Sequence, residues 1–430
     1  MKTLSIFWFR RDLRLDVNKG LYFALKENKK VLPIFIFDQE ILDYLPSDDS
    51  RVYFIFTRLK EMNNSLDENQ KIQTYHGKPI EIFKTLINKY DIESVYTNHD
   101  YEPYGIKRDK DVYKLLKNNN IILKTYKDQV IFEKNEVTKD DGNPYKVFTP
   151  YCKKWMKMFN EGCLNTYPSQ SLLKNLLSDE NKWVELNEIG FIIPDLKICP
   201  YNLNSSLISS YELNRNIPSI DGTSRLGPHL RFGTISIRNV IKEAKNNNNT
   251  TFLKELIWRE FFMQILWHFP QTVTKSFKEK YDCIKWRNDN KEFKKWCEGQ
   301  TGYPLVDAGM RELNQTGFMH NRVRMLVGSF LCKHLLIDWR WGEAYFALKL
   351  HDYELSSNVN NWQWVAGCGV DAAPYFRIFN PTTQIIKFDK DHTYIKKWVP
   401  EYQEFNYAKP MVDHKYARER CLKTYKEALR

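Results

Sequence analysis

Short apolar runs alternate with amphipathic stretches along the first part of the chain. Three runs have the length and composition of buried strands: residues 4–9, 31–37 and 94–97. Residues 50–62 and 79–89 between them have the apolar spacing of helices. This alternation predicts a doubly wound parallel sheet. No GxGxxG motif follows the first run, so the usual dinucleotide-binding loop is missing there.

The pattern changes twice further along the chain. Turn signals and polar runs without a clear period begin near residue 131, which is typical of an interdomain connection. After residue 200 helical spacing dominates, as in residues 255–269, 318–336 and 341–350. We therefore expect three parts: an α/β domain at 1–130, a connector at 131–200 and a larger helical domain at 201–430.

Composition adds charge and aromatic rings to this picture. The net charge is +12, and aromatic residues make up 15% of the chain. Positive charge attracts polyanions, of which nucleic acid is the commonest. The rings fit either an aromatic-rich core or stacking on planar ligands. The sequence has no serine–histidine–aspartate arrangement, P-loop or HExxH motif, which argues against hydrolysis and phosphoryl transfer.

The eight cysteines indicate a reducing compartment. None forms a CxxC pair or a cluster with zinc-ligand spacing, so we expect neither a disulfide framework nor a metal site. The apolar stretch near the N-terminus is too short for a signal peptide or a membrane span. We therefore expect a soluble, intracellular protein.

One predicted helix carries charged and aromatic side chains on a single face. Glu255, Trp258, Arg259 and Phe262 follow the i, i+3, i+4, i+7 spacing. This face is either a pocket wall that stacks on a planar group or a Glu–Arg pair beside half-buried aromatic residues.

A second helix face is polar and contains a glycine. Asn321, Arg324, Met325 and Gly328 fall on one side, where Gly328 permits close approach of another element. An amide and a thioether together suit an amphipathic ligand. Core packing with snorkelling arginines is the alternative.

Two further segments combine charge with backbone freedom. Thr223, Ser224 and Arg225 precede a helical stretch, where they either bind a phosphate or simply cap the helix. Gly367 and Gly369 let the backbone approach closely in a loop-rich region of charged and aromatic residues, which favours binding over packing. The candidates in that region are Asp352, Glu354, Asn358, Trp362, Trp364, Asp371 and Arg377.

Eight segments taken together resemble the DNA photolyase/cryptochrome family. In chain order they are FWFRRDLRL, TSRLGPHLRFGTISIR, ELIWREFF, TGYPLVDAGMREL, TGFMHNRVRM, LLIDWRWGEAYF, NNWQWVAGCGVDAAPYFRIFNPTTQ and KFDKDHTYIKKWVPE. They span nearly the whole chain in the family's order and are most similar to class I cyclobutane pyrimidine dimer photolyases. The resemblance implies an antenna domain at 1–130 and a helical domain at 201–430 that binds FAD and DNA.

The resemblance assigns residues to the FAD site. Those matching the diphosphate-binding positions are Tyr211, Thr223, Ser224, Arg225, Leu226 and Gly227. Those matching the surroundings of the flavin ring are Arg259, Arg324, Asp352, Glu354 and Asn358. Asn358 matches the residue that faces flavin N5 and tunes its protonation. Glu354 stands where an aspartate is expected, and Phe252 stands where a tryptophan often lies near the adenine.

The resemblance also implies damaged DNA as substrate. A dimer flipped out of the duplex would contact Glu255, Trp258, Asn321, Met325 and Trp364, with the two indoles stacking on it. Residues matching DNA-contacting positions are Arg215, Arg322, Arg377 and Gln384. Arginine contacts to phosphate would make binding salt-dependent and largely independent of sequence.

The implied activity is light-driven repair by a carbon–carbon lyase. Fully reduced, anionic FAD absorbs blue or near-ultraviolet light and donates an electron to the dimer, which returns after the cyclobutane ring opens. Trp362, Trp339 and Trp286 match the family's electron-transfer chain, which reduces the flavin. With Glu255 and Asn358 they form the implied catalytic set. We expect a monomeric protein in the cytoplasm, associated with DNA.

Four other functions are weighed against this one. A (6-4) photoproduct photolyase should have histidines where Asn321 and Met325 stand, and the single-strand-preferring cryptochrome branch commonly differs at Met325 and Trp364. A signalling cryptochrome often has a long C-terminal tail, whereas this sequence ends at Arg430 soon after the last motif. A plain flavin-binding protein leaves the two indoles and Glu255 unexplained.

The antenna chromophore is left open between a folate, a deazaflavin, another flavin and none. Glu102 matches a carboxylate of folate-binding members. Thr272 and Val273 stand where other folate contacts are expected, and neither side chain supplies a charge.

Overall fold

The computed structural model describes residues 3–178, 180 and 182–430. The strands are β1 Thr3–Phe9, β2 Val31–Asp38, β3 Gln73–Gly77, β4 Asp91–Asn98 and β5 Ile122–Tyr126. The α-helices are α1 Lys19–Glu27, α2 Gln39–Leu42, α3 Ser50–Asn64, α4 Pro79–Lys89, α5 Pro103–Asn118, α6 Phe148–Met158, α7 Ser205–Asn214, α8 Gly227–Arg231, α9 Ile237–Asn246, α10 Thr250–His268, α11 Asn290–Glu298, α12 Pro304–Thr316, α13 Asn321–Ser329, α14 Trp339–Lys349, α15 Leu355–Ala366, α16 Pro381–Phe388, α17 Thr393–Trp398 and α18 His414–Ala428.

The chain folds into two compact units. Unit 1 consists of Met1–Glu133, Met158–Tyr201 and Arg225–Asn246. Unit 2 consists of Lys134–Lys157, Asn202–Ser224 and Asn247–Arg430. The functional division into an antenna domain, a connector and a cofactor domain stays a prediction.

Unit 1 contains one parallel sheet with the strand order β3-β2-β1-β4-β5. Helices connect consecutive strands, with α1 between β1 and β2 and α5 between β4 and β5. The strand order runs outward from β1 in both directions, which is the doubly wound arrangement. The α/β fold predicted from the sequence is therefore confirmed.

The first strand shows why apolar residues occupy consecutive positions, from Ile6 to Phe9. Phe7 and Phe9 pack with residues of α1 and α3 on one face of the sheet, whereas Ile6 and Trp8 pack with residues of α4 and α5 on the other. Successive side chains of a strand point to opposite faces. Because the sheet is covered on both sides, consecutive residues of this strand are apolar.

A buried carboxylate joins distant segments of unit 1. Asp128 pairs with Arg14 and, at 2.6 Å, with Nη2 of Arg238, and all three side chains are buried. Burial alone would raise the pKa of Asp128, but the two guanidinium groups outweigh it and lower the pKa from 3.8 to about 2.

The ion pairs of Asp128 with Arg14 and Arg238 are expected to make the stability of unit 1 sensitive to acid. Because the folded-state pKa of Asp128 is depressed, its contribution is complete above pH 4 and lost as the pH falls toward 2. The contribution at neutral pH is about 2 kcal/mol. Acid unfolding followed by circular dichroism should show Asp128→Asn unfolding at higher pH than the unsubstituted protein. An unchanged acid midpoint would contradict the role of this carboxylate.

Unit 2 is helical, as predicted for the C-terminal part of the chain. The predicted helices at 255–269 and 341–350 correspond to α10 and α14, and the one at 318–336 to α13 with the π-helix Phe330–His334. Helices α11 to α15 surround a core that contains Trp296, Trp339 and Trp362. None of the helices in the described part of the chain is both long and apolar enough to cross a membrane.

Candidate functional site

A cavity of about 100 Å³ lies among α13, α14 and α15 of unit 2. Four predicted flavin-site residues line it: Arg324, Asp352, Glu354 and Asn358. Three predicted substrate residues line the same cavity: Asn321, Met325 and Trp364. Trp362, the first residue of the expected electron-transfer chain, also contributes to its wall. The structure thus brings together residues that the sequence assigned to different roles.

Helix α13 presents its polar face to this cavity. Asn321, Arg324, Met325 and Gly328 all line it, which confirms the face predicted from their spacing. A Cβ atom added to Gly328 would lie 3.1 Å from Cγ2 of Val365, so the glycine does permit close approach of α15.

Helix α15 and the residues just before it contribute lining that we did not single out from the sequence. Ser357, Asn361 and Val365 line the cavity beside Asn358. They lie three, seven and eleven residues after Glu354, on the same helical face. The helical spacing that identified α13 would therefore have found these three as well. Other lining residues missed from the sequence are Phe346, Leu350 and Tyr353.

Two arginine–carboxylate pairs hold the charged side chains of this region. Arg324 binds Asp352 through both terminal nitrogens, at 3.1 and 2.9 Å. Arg259 of α10 binds Glu354 through Nε at 3.0 Å and Nη2 at 3.1 Å. The second pair is the more buried, with side-chain exposures of 13% and 6%. Bidentate pairs of this kind fix both partners in orientation.

The Asn358 amide is oriented by a residue that we missed in the sequence. Its Nδ2 donates to the backbone oxygen of Glu343 at 3.1 Å and to Oε1 of Glu343 at 2.9 Å. Burial raises the pKa of the Glu343 carboxyl, whereas the hydrogen bond from Asn358 lowers it. With both N–H groups donated, the amide oxygen is the atom left to accept from a ligand. No local pattern linked these residues, which are 15 positions apart.

Glu255 and Arg215 form an ion pair, with Nη1 of Arg215 2.5 Å from Oε1 of Glu255. The Arg215 guanidinium also lies over the ring of Tyr211, 5.4 Å from its centroid. Burial and the Glu255 charge raise the pKa of Tyr211 to about 12. The predicted diphosphate residue Tyr211 therefore lies beside predicted substrate residues. Its ring also meets Phe252 edge-on at 5.1 Å.

The predicted phosphate segment is split by the division into units, between Ser224 and Arg225. Arg225 has a positive φ of 54°. Helix α8 begins at Gly227 with Leu226 as N-cap, and no side chain accepts a capping hydrogen bond there. Capping by Thr223 or Ser224 is therefore wrong, because these hydroxyls precede the N-cap by three and two residues.

The remaining predicted DNA residues are distributed over unit 2. Arg322 donates to Asn216 and lies over the ring of Phe388, 4.4 Å from its centroid. Arg377 is exposed in the loop after α15, and Gln384 is half-buried on α16. Among the expected electron-transfer residues, Trp362 and Trp339 are 3% and 1% exposed, whereas Trp286 is half-buried and packs against the same core.

The predicted antenna residue Glu102 belongs to unit 1 and is paired. Its Oε1 lies 3.2 Å from Nη1 of Arg11 and 3.0 Å from Nη1 of Arg231. In unit 2, Thr272 is buried, and its hydroxyl donates to the backbone oxygen of Phe269 at 2.7 Å.

The chain combines a doubly wound sheet unit with a helical unit whose polar cavity is lined by Trp362 and Trp364. This combination is typical of one class of cofactor-binding protein. The family model described as DNA photolyase matches residues 5–170, and the one described as FAD binding domain of DNA photolyase matches residues 252–406. The deoxyribodipyrimidine photo-lyase of Agrobacterium fabrum is 34% identical, over 99% of this chain and 98% of the relative. The chain belongs to the DNA photolyase family.

Solved structures agree with this membership. A bacterial class III photolyase from Agrobacterium tumefaciens has a TM-score of 0.88 at 32% identity, covering 100% of this chain and 98% of that one. An archaeal photolyase from Sulfolobus tokodaii, solved with two FAD molecules, has a TM-score of 0.84 at 32% identity, covering 99% and 100%. The predicted family and its FAD-binding domain are confirmed, and the assignment to class I stays a prediction.

Proposed function

We propose that this chain uses light to split cyclobutane pyrimidine dimers in DNA. The observation that carries the proposal is the shared cavity, in which Asn321 and Trp364 lie with Asp352 and Asn358. The first two match dimer-binding positions and the last two match flavin-binding positions, so donor and acceptor would meet at one site. Relatives named deoxyribodipyrimidine photo-lyase, 32% to 34% identical over 99% of this chain, support it.

The residues around the cavity fit FAD. Bidentate pairs on Asp352 and Glu354 keep Arg324 and Arg259 in place, and the free amide oxygen of Asn358 suits a ring N–H donor. Bound FAD, when reduced, supplies the light absorption and the electron for ring opening. Tyr211 and the segment from Thr223 to Gly227 would hold its diphosphate.

Asn358 would favour the reduced cofactor through its orientation. Both of its N–H groups are donated to Glu343, so the side chain offers only an acceptor. Reduced flavin carries a proton at N5 that the oxidised ring lacks. Glu343 is therefore proposed as the residue that holds Asn358 in the accepting orientation.

The dimer would bind between two indoles and two polar side chains. Trp258 and Trp364 would stack on the flipped bases, while Glu255 and Asn321 bond the polar edge. The ion pair with Glu255 holds Arg215 beside this edge. Further phosphate and DNA contacts are proposed for Arg322, Arg377 and Gln384, with salt-dependent binding as the consequence.

The tryptophans would supply electrons from the protein. Trp362 lines the cavity, Trp339 is buried and Trp286 reaches the solvent. One tryptophan at the cavity and another with solvent exposure support a route between the cofactor and the surface. We further propose that the protein acts on DNA as a monomer in the cytoplasm.

A repair assay tests the proposal. Purified, reduced protein mixed with dimer-containing DNA should restore pyrimidine absorbance under blue light and leave it unchanged in the dark. Repair of (6-4) photoproducts instead would assign the chain to that substrate. If the protein with FAD bound photoreduces the flavin but repairs neither lesion, the result would contradict the proposal and favour a photoreceptor.

Glu255→Ala is expected to raise the dissociation constant for dimer-containing DNA about tenfold, because a charge-assisted hydrogen bond is lost. FAD should remain bound at full stoichiometry. Glu212 is an exposed glutamate on α7, so Glu212→Ala serves as the matched control and should bind like the unsubstituted protein. Loss of FAD from the Glu255 variant would mean that this carboxylate supports the fold instead.

A further inference from the structure

The indole of Trp258 has one face covered by another ring. Phe148 of α6 stacks on it with ring centroids 3.6 Å apart and planes 8° from parallel. Phe261 meets the same indole edge-on at 5.6 Å. Phe262 also contacts the indole, at 5.3 Å with the planes tilted by 37°. Phe148 is buried and Trp258 is half-buried, so a planar ligand cannot stack on the face that Phe148 covers.

The ring pair is closer than aromatic attraction alone favours. Aromatic pairs prefer offset or edge-on contacts with centroids about 4.5 to 7 Å apart. A near-parallel stack at 3.6 Å therefore indicates that the helices carrying the two rings set their separation. The ring of Phe148 therefore supports the Trp258 indole from one side and keeps its plane fixed.

Helix α6 is itself held in place at several points. Tyr151 meets Phe261 at 5.1 Å, and Nε1 of Trp155 donates to Oε1 of Glu260 at 2.5 Å. Tyr151 and Trp155 lie three and seven positions after Phe148, on the face of α6 that packs against α10.

The first residue of α6 is tied to the loop after α15. The backbone N–H of Phe148 donates to Oδ2 of Asp371 at 3.1 Å. Asp371 adopts a positive φ of 47°, a conformation that aspartate adopts more readily than most residues other than glycine. The same loop carries Arg377, a proposed DNA contact. Asp371 thus connects this loop to Phe148, the residue that stacks on Trp258.

We propose that Phe148 is a positioning residue that determines specificity for the dimer by fixing the indole plane of Trp258, with Asp371 fixing Phe148. The inference rests on the proposed function, in which Trp258 stacks on the flipped dimer. An indole that is already immobilised loses little freedom when the ligand binds. Loosening it weakens binding of the flipped dimer, whereas phosphate contacts to undamaged DNA are unaffected.

The test is DNA binding in the dark by Phe148→Leu, measured by fluorescence anisotropy with dimer-containing and undamaged duplexes of one sequence. We expect the dissociation constant for the dimer duplex to rise about tenfold and that for undamaged DNA to stay within about twofold. FAD content and repair per absorbed photon at saturating DNA should not change.

Three controls separate positioning from a general packing role. Phe148→Tyr keeps the ring and should restore dimer binding. Tyr151→Phe alters the same helix without touching Trp258 and should leave both dissociation constants unchanged. In a Trp258→Leu background, Phe148→Leu should add no further loss, because its effect passes through the indole.

Each contrary result is distinct. Equal weakening of both duplexes, loss of FAD or unchanged dimer binding in Phe148→Leu would overturn the inference. If that variant does not fold, Asp371→Gly removes the acceptor of the Phe148 N–H and tolerates the positive φ. It must still weaken dimer binding selectively, and an unselective effect there overturns the inference too. Unsubstituted protein that does not prefer dimer DNA would overturn the proposed function itself.

Discussion

Glu354→Gln is expected to lower the free energy of unfolding of unit 2 by about 3 kcal/mol, because it removes the negative charge of a buried ion pair with Arg259. The pair is bidentate, and the Glu354 side chain is only 6% exposed. The unfolding midpoint of the apoprotein should fall by roughly 6 to 12 °C. FAD affinity should fall as well, since Glu354 lines the cavity. Differential scanning calorimetry and FAD titration measure the two effects.

The chain offers a matched control for this charge. Asp352→Asn breaks the corresponding pair with Arg324, whose side chains are 24% and 20% exposed. Solvent screens the more exposed pair and solvates the arginine left behind, so the loss of stability should be clearly smaller. Equal losses in the two variants would contradict the importance of burial.

Glu354→Asp examines the departure from the family pattern. The shorter side chain cannot reach both Nε and Nη2 of Arg259 without a shift, so one of the two hydrogen bonds at 3.0 and 3.1 Å should weaken. The charge remains, and the expected cost is about 1 kcal/mol. A loss as large as that of Glu354→Gln would show that geometry outweighs charge at this pair.

Local patterns predicted the parts of the fold that depend on local burial. Strands β1 and β2 are covered on both faces and produce runs that are mostly apolar, and β4 produces a shorter one. We did not predict β3 and β5, which are the outer strands of the sheet. Short outer strands bury fewer side chains, as the exposed and half-buried residues of β5 illustrate, so their hydrophobic signal is weak.

In the candidate site, too, local spacing predicted some features, whereas others depend on how the helices pack. Spacing along α13 identified a face that does line the cavity, because helical geometry is fixed by the backbone. The partners of that face could not be predicted, since Glu354 finds Arg259 and Asn358 finds Glu343 only after α10, α14 and α15 have packed. Assignment of roles to these residues came from the resemblance of whole motifs.

Gly342→Ala should destabilise unit 2 by about 3 kcal/mol through overpacking. A Cβ atom at this position would lie 2.1 Å from Cη2 and 2.4 Å from Cζ3 of the Trp362 indole, and 2.7 Å from Leu331. The indole cannot easily withdraw, since Trp362 is 3% exposed and packed against Phe346. Alanine ordinarily stabilises a helix relative to glycine by about 1 kcal/mol, so a loss of stability isolates the steric effect.

Two variants make this steric argument specific to Trp362. Gly328→Ala meets its nearest neighbour, Val365, at 3.1 Å, a mild contact that should cost less than half as much. Combining Gly342→Ala with Trp362→Phe should recover part of the stability, because the smaller ring vacates the space that the new methyl group needs. Thermal unfolding of the four proteins provides the double-mutant cycle, and strictly additive losses would contradict a direct clash. Because Trp362 also lines the cavity, a displaced indole should slow the photoreduction of bound FAD in the Gly342 variant even at temperatures where it is fully folded.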